Sequence, residues 1–155
     1  MSDKRFNIRV YGIVVNDSDE VLVSDELIQG MQFTKFPGGG LEWGEGTHEC
    51  LEREFKEELD QEIEVMDHFY TTDYFQQSAF RETDQLISIY YRVQFIGSPH
   101  FEVKETRFDF PDDLGNQFEV QRWIPLSKLS PDEFRWPVDK IVAGMLKQEY
   151  LSGSN

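Results

Sequence analysis

Three consecutive glycines, Gly38–Gly40, separate a strand-like part of the chain from a segment with helical periodicity. Before the glycines, residues 33–36 form a short strand pattern that runs into Pro37. After them, from Thr47 to Leu59, apolar residues recur at helical spacing. Glycine permits positive φ and close approach of the backbone. The chain is therefore expected to place a strand, a tight connection and a helix in that order.

The rest of the chain alternates between strand-like and helical patterns. Strand patterns cover residues 7–16, 21–24, 63–75, 86–97 and 118–126, and an amphipathic helix pattern covers residues 138–151. The polar turn at residues 16–20 predicts that the first two strands form a hairpin. The order strands, helix, strands, helix predicts a mixed α/β (α+β) sandwich in which helices cover a sheet.

Length and composition are typical of one domain in a reducing compartment. The chain has 155 residues, of which 39% are hydrophobic, enough for one core. Residues 1–151 are interpreted as a single domain and residues 152–155 as a disordered tail. No apolar run reaches membrane-spanning length, and the N-terminus has no signal-peptide pattern. The single cysteine, Cys50, favours the cytoplasm, and no membrane contact is expected.

The helical segment carries two adjoining stripes. The apolar stripe, which is expected to face the core, consists of Leu51, Phe55 and Leu59. The acidic stripe has i, i+3, i+4 spacing and consists of Glu54, Glu57 and Glu58. Like charges at this spacing cost about 0.2–0.5 kcal/mol per pair, and one arginine, Arg53, cannot balance them all. A solvated acidic face is one interpretation, and a site for hard divalent cations such as Mg²⁺ or Mn²⁺ is the other.

The position of the glycines favours the cation site. Gly-rich turns are common, but this one lies directly before the acidic helix. Backbone amides and carbonyls of Gly39 and Gly40 could meet a phosphate there, close to the metal. The formal net charge of -15 disfavours binding to nucleic acid, whereas a small phosphate-bearing substrate stays compatible if cations bridge it.

The glycines and the acidic helix together resemble the Nudix box. That pattern reads G, five residues, E, seven residues, REU, one residue, EE, one residue, GU, where U is a bulky aliphatic residue. The residues that match it are Gly39, Glu45, Arg53, Glu54, Phe55, Glu57 and Glu58. Asp60 and Gln61 depart from the closing GU, and Ile63 is expected to supply the missing apolar anchor. Because aspartate tolerates left-handed φ, the turn after the helix is expected to survive.

The resemblance implies a Nudix-like α/β/α sandwich and hydrolysis of a nucleoside diphosphate linked to another group. It implies that Glu54, Glu57 and Glu58, together with the carbonyl of Gly38, hold Mg²⁺ or Mn²⁺. It also implies that Arg53 positions the glutamates and that Glu45 orients the junction between loop and helix. The general base varies within the family and is either a glutamate of the box or an acidic residue on a later loop. Glu119 is the candidate outside the box, and its alternatives are Glu105, Asp109, Asp112 and Asp113.

Two substrate markers of the family are absent. Members that resemble ADP-ribose hydrolases often carry a proline beyond the box, and here no proline occurs between Pro37 and Pro99. Dinucleoside-polyphosphate hydrolases often carry a tyrosine at about that place, where this chain has Ser78 and Ala79. Nucleoside triphosphates or nucleotide sugars are therefore favoured over ADP-ribose. Aromatic side chains that could stack on a base are Phe33, Tyr70, Tyr74, Phe75 and Phe80, although packing in the core is their commoner role.

Two other functions fit parts of the sequence. One is a Nudix-like module that senses a nucleotide metabolite without cleaving it. The other is an acidic interaction domain, which explains the charge but not the spacing of glycines and glutamates. The expected partner is a small nucleotide, and the long apolar strands permit a homodimer.

Overall fold

The computed structural model describes residues 3–112, 115 and 117–153. Within these residues the chain forms eight β-strands, two α-helices and two short 3-10 helices. The strands are β1 (Arg5–Ile13), β2 (Glu20–Ile28), β3 (Met31–Lys35), β4 (Gly38–Gly40), β5 (Ile63–Thr71), β6 (Asp84–Phe95), β7 (Val103–Lys104) and β8 (Gln117–Pro125). The helices are α1 (Thr47–Leu59) and α2 (Pro137–Gly153). Contacts between Cα atoms divide the chain into two compact units.

The first unit comprises Met1–Ile13 and Gly38–His100. Its sheet has the strand order β4-β1-β6-β5. Strand β1 runs parallel to β6 and antiparallel to β4, and β5 runs antiparallel to β6, so the sheet is mixed. The starts of β1 and β6, the end of β5 and the end of β4 therefore all point toward the same end of this sheet.

Helix α1 covers one face of the first sheet. Its buried residues are Cys50, Leu51, Phe55 and Leu59, which include the whole predicted apolar stripe. A Cβ at Gly12 would lie 2.9 Å from the Phe55 ring and from Val93, so the helix packs directly on the backbone of β1. The absence of a side chain at Gly12 is therefore what admits the large aromatic ring to this face.

Backbone N–H groups at both ends of α1 have hydrogen-bond partners close by in the chain. Gly46, and not Thr47, is the N-cap, and its N–H donates to Glu49 Oε1 at 2.8 Å. At the other end Asp60 adopts φ 50°, and its N–H donates to the Lys56 carbonyl. The predicted left-handed turn at Asp60 is confirmed.

Gln61 is buried at the closing apolar position of the box pattern. Its side-chain amide donates to the carbonyl of Ile96 at 3.0 Å, so this polar residue has no unmet hydrogen bond there.

The second unit comprises Val14–Pro37 and Phe101–Asn155. Its sheet has the order β3-β2-β8-β7, with β7 parallel to β8 and the other pairs antiparallel. Helix α2 begins at Pro137, whose fixed φ suits the first turn of a helix. The face of α2 that is buried contains Val138, Asp139, Val142, Ala143 and Leu146.

A buried ion pair joins the elements of the second unit. Asp25 in β2 accepts from Arg122 in β8 through two hydrogen bonds, at 2.8 and 3.0 Å. The same carboxylate accepts from Thr34 Oγ1 at 2.8 Å and from the Phe108 N–H at 3.1 Å. Arg122 also contacts Glu133 at 3.4 Å. Because Asp25 is fully buried, this network fixes β2, β3, β8 and the turn at Phe108 relative to one another.

The α+β class and the mixed strand pairing are confirmed, whereas three details differ from the sequence-based expectations. The chain forms two four-stranded sheets instead of one. The predicted hairpin forms only next to its turn, where Val15 bridges Val21 and the Leu22 N–H donates to the Val14 carbonyl at 2.9 Å. It does not extend further, because β1 pairs with β4 and β6 while β2 pairs with β3 and β8. The glycines form the short strand β4, where a turn was expected.

Helix α2 extends through Ser152 and Gly153, which the sequence assigned to the tail. Ser154 and Asn155 lie outside the described residues. In the described part of the chain, no helix is long and apolar enough to cross a membrane. The homodimer stays a prediction.

Candidate active site

The glycine strand β4 lies at the edge of the first sheet, with Gly39 opposite Val10 and Gly38 opposite Tyr11. Gly38 has φ +147°, and a Cβ there would collide with the Val10 carbonyl oxygen. A Cβ at Gly39 would lie 2.5 and 2.6 Å from the two carboxylate oxygens of Glu54. The glycines are therefore required for close approach: Gly38 to the neighbouring strand, and Gly39 to a carboxylate of α1.

Arg53 is the centre of the hydrogen-bond network between α1 and the preceding loop. Its guanidinium donates twice to Glu45, at 2.7 and 3.0 Å, and once to the Gly40 carbonyl, at 2.9 Å. It also donates to Glu54 at 2.9 Å and to Glu57 at 3.2 Å. Arg53 is thus bonded to the glycine strand, to the loop and to two of the three predicted metal ligands.

The electrostatics of this network are strongly coupled. Hydrogen bonding to Arg53 holds the pKa of the Glu45 carboxyl at about 2, below its usual 4.5. The same hydrogen bond raises the pKa of the Arg53 guanidinium. Glu45 also accepts from the Glu42 N–H at 2.8 Å, which closes the turn before α1. Glu45 therefore fixes the loop–helix junction, in agreement with the role that the resemblance implies.

The depressed pKa of Glu45 predicts a pH dependence of stability. The folded chain binds this proton more weakly than the unfolded chain does, so the contribution is present above pH 4.5 and is lost as the pH falls toward about 2. We expect the unfolding free energy of the wild type to fall more steeply across this window than that of Glu45→Gln. Urea unfolding at a series of pH values in EDTA measures both slopes. Equal slopes would show that Arg53 does not hold the carboxylate in solution.

The three predicted metal ligands differ in their surroundings. Glu54 is largely shielded, with a side chain that is 12% exposed, whereas Glu57 and Glu58 are exposed. Among residues 3–112, 115 and 117–153, no three His, Cys, Asp or Glu side chains converge closely enough to hold a metal ion. The donor chemistry nevertheless fits a hard divalent cation, because the Glu54 carboxylate lies against the glycine strand and two further carboxylates, Glu57 and Glu58, follow on the same helix.

Cys50 lies inside the same network but has no reactive character. Its thiol is fully buried, and its Sγ lies 3.6 Å from the Gly40 carbonyl oxygen and 3.8 Å from Arg53 Nη2. Burial raises the pKa of the thiol to about 12. Cys50 is therefore a packing residue behind the glycine strand.

The candidate general base Glu119 belongs to the second unit. It lies in β8 opposite Glu26 of β2, and its Oε1 accepts from Gln121 Nε2 at 3.0 Å. Its catalytic role stays a prediction. The alternatives Glu105, Asp109 and Asp112 lie in the segment between β7 and β8, and Asp113 lies outside the described residues.

The aromatic candidates fall into two groups. Phe33 is buried against Trp136, with ring centroids 5.4 Å apart, and Tyr70 donates to Asp73 at 3.0 Å. The remaining candidates are more exposed: Tyr74, Phe75 and Phe80. Trp43, which was not predicted from the sequence, is fully exposed on the loop between β4 and α1. Its place between two glutamates of the box was the available signal.

Solved structures of other proteins share this fold. The solution structure of the E. coli ORF135 protein aligns with a TM-score of 0.69 at 15% identity, over 100% of this chain and 99% of that one. A MutT structure from work on Aliivibrio salmonicida and Vibrio cholerae aligns with a TM-score of 0.61 at 23% identity, over 94% and 99%. An ADP-ribose pyrophosphatase from Streptococcus suis aligns with a TM-score of 0.54 at 14% identity, over 96% and 94%. A search of curated proteins found no match.

An edge strand of glycines followed by an arginine-centred acidic helix brings the Glu54 carboxylate against the Gly39 backbone. A family model described as "NUDIX domain" matches residues 5–145, most of the chain and parts of both units. The chain belongs to the NUDIX family.

Proposed function

We propose that this protein hydrolyses the pyrophosphate linkage of a nucleoside diphosphate joined to another group, with Mg²⁺ or Mn²⁺ as cofactor. The observation that carries the proposal is the placement of Glu54. Its carboxylate lies in the space that a side chain at Gly39 would fill, and Arg53 holds it there at 2.9 Å. A solvated acidic face has no need for a carboxylate so placed.

The residues of this chain have separate roles in the proposed reaction. Glu54, Glu57 and Glu58, with the carbonyl of Gly38, would hold the divalent cation. When bound, the cation neutralises phosphate oxygens and lowers the pKa of a coordinated water. Arg53 orients the carboxylates from behind, because it is already bonded to Glu54 and Glu57. Backbone groups of Gly39 and Gly40 receive the phosphates.

The proton of the attacking water needs an acceptor. Glu119 is the candidate outside the helix. Its carboxylate accepts a hydrogen bond only from a neutral amide, that of Gln121, among the contacts described for it. A carboxylate outside the helix would take the proton without giving up a residue that holds the cation.

The substrate class is proposed more narrowly as nucleoside triphosphates or nucleotide sugars. The proteins of similar fold carry different names, MutT in one case and ADP-ribose pyrophosphatase in another, so the fold does not select one substrate. The choice depends on the absence of proline between Pro37 and Pro99. Cytoplasm is the proposed location, because the only cysteine, Cys50, is buried and free.

Removal of the metal tests the reaction. We expect phosphate release, directly or after a phosphatase step, from at least one member of a panel of nucleoside triphosphates and nucleotide sugars when Mg²⁺ or Mn²⁺ is present. Excess EDTA should reduce release to the background rate, because the glutamates alone repel a polyphosphate. Release that persists in EDTA would contradict the proposed role of the metal.

The alternative is a module that binds a nucleotide metabolite without cleaving it. The observation in its favour is that Arg53 already engages the carboxylates of Glu54 and Glu57. In that case the same panel would show saturable binding by calorimetry and no phosphate release with either metal.

A further inference from the structure

A cavity of about 420 Å³ lies at one end of the first sheet, where β1 and β6 begin. Its lining comes from the start of these two strands and from the segment between β5 and β6. The lining residues are Lys4, Arg5, Phe6, Phe75, Gln77, Glu82, Thr83, Asp84 and Gln85. The volume falls in the range of about 300–1,000 Å³ that is typical of small-molecule sites.

Several lining side chains have hydrogen-bonding or stacking capacity to spare. Phe6 and Phe75 are 66% and 69% exposed, and neither ring stacks on another in the described part of the chain. Gln85 is the register partner of Phe6 in the sheet, and Gln77 bridges to Gln85 from the other side. The cavity therefore offers two aromatic faces close to the Gln85 amide and to the Gln77 amide, whose nitrogen already donates to the Glu82 carbonyl at 2.6 Å.

The charges around the cavity favour a neutral occupant. Asp84 accepts a hydrogen bond from Arg5 at 2.8 Å, so the charges of these two residues neutralise each other. Lys4 and Glu82 are the two other charged lining residues, and they are of opposite sign. An isolated phosphate or an ammonium ion would gain little from such a balanced lining. A planar group with hydrogen-bonding edges is complementary to both the rings and the amides.

One wall of the cavity, the Phe6 side chain, shares a face of the sheet with Glu54. Side chains alternate along a strand, so Phe6 and Val10 project from the same face of β1. Val10 is opposite Gly39, whose Cβ position the Glu54 carboxylate occupies. Four residues of strand separate Phe6 from Val10, which is about 13 Å. A ribose and a diphosphate bridge a distance of this order.

From this geometry we propose that the cavity is the subsite for the nucleoside part of the substrate. The base lies against Phe6 and Phe75, the Gln85 amide contacts the edge of the base, and Glu82 is the acceptor for a ribose hydroxyl. The phosphates then extend along β1 toward Gly39 and Glu54. This inference extends the proposed function and depends on it only for the phosphate end.

The test uses the neutral nucleosides adenosine, guanosine, cytidine and uridine in EDTA, so that neither phosphates nor metal contribute. We expect at least one to bind the wild-type protein in ligand-observed NMR. Phe75→Ala should weaken that binding roughly tenfold or more, because stacking on an aromatic ring is lost. Phe80→Ala is the matched control, since Phe80 lies on the same segment but does not line the cavity. In turnover assays Phe75→Ala should raise KM and leave kcat within about threefold.

A second variant keeps the subsite testable if Phe75→Ala fails to fold, and it also measures specificity. Gln85→Leu keeps the side-chain size, and we expect it to change the order of preference among the four nucleosides. Thermal melts check that each variant folds. The subsite is overturned if no nucleoside binds the wild type, or if Phe75→Ala binds as the wild type does. Binding that depends on Phe75, without hydrolysis of any nucleotide, would support the subsite and contradict the proposed reaction.

Discussion

Replacement of Glu57 by glutamine is expected to lower metal-dependent nucleotide hydrolysis by about 100-fold to 1,000-fold. The change removes one negative charge from the acidic stripe but keeps the size of the side chain. A divalent cation that stabilises developing charge on a phosphate loses much of its effect when it is bound weakly or displaced. The measurement is kcat and KM for the best nucleotide of the panel, at saturating Mg²⁺ and again with Mn²⁺.

The matched control is Glu52→Gln. Glu52 is exposed on the same helix but lies outside the stripe of Glu54, Glu57 and Glu58. It has the same charge change and the same solvent exposure class as Glu57, so general electrostatic effects on substrate approach are equal. We expect its kcat within about twofold of the wild type. A similar loss in both variants would assign the effect to net charge, and an unaltered Glu57→Gln would remove Glu57 from the metal site.

The second large effect concerns stability. Asp25→Asn is expected to lower the unfolding free energy by about 3–5 kcal/mol, because the buried Arg122 would lose the carboxylate that it contacts at 2.8 Å and keep only Glu133, at 3.4 Å. The side chain of Asp25 is 0% exposed and that of Arg122 is 8% exposed, so water cannot replace the lost partner. Urea unfolding at neutral pH, followed by circular dichroism, gives the free-energy difference.

An exposed ion pair of the same chemistry provides the control. Arg92 lies 3.6 Å from Asp67, whose side chain is 72% exposed, and Asp67→Asn should cost less than about 1 kcal/mol. The double variant Asp25→Leu with Arg122→Met should recover only part of the loss, because Thr34 and the Phe108 N–H also lose their acceptor. A cost below 1 kcal/mol for Asp25→Asn would mean that the buried pair does not hold this unit together.

Local patterns predicted those parts of the fold whose causes are local. Helix α1 follows directly from the recurrence of Leu51, Phe55 and Leu59, and its bounds, Thr47–Leu59, match the predicted segment. The left-handed residue Asp60 was expected from the intrinsic tolerance of aspartate. In the site, the contact between Arg53 and Glu57 is an i, i+4 pair, a spacing that is visible in the sequence.

Features that depend on distant partners could not be predicted in the same way. A turn between two strand patterns predicts a hairpin, yet β1 finds a longer parallel partner in β6, more than seventy residues away. The two bonds from Arg53 to Glu45 join a helix to its preceding loop, and no periodic rule gives that pairing. The carboxylate of Asp25 is enclosed by residues from three strands and a turn, so its burial has no signature in its own segment.

The buried thiol of Cys50 makes the opening of α1 measurable without an engineered cysteine. It is the only cysteine of the chain, it is fully enclosed behind Gly40, and its high pKa leaves almost no thiolate at neutral pH. A thiol reagent can therefore react only during moments when the helix has separated from the glycine strand. The labelling rate under native conditions is a direct readout of how often the region that carries Arg53 and the glutamates comes apart.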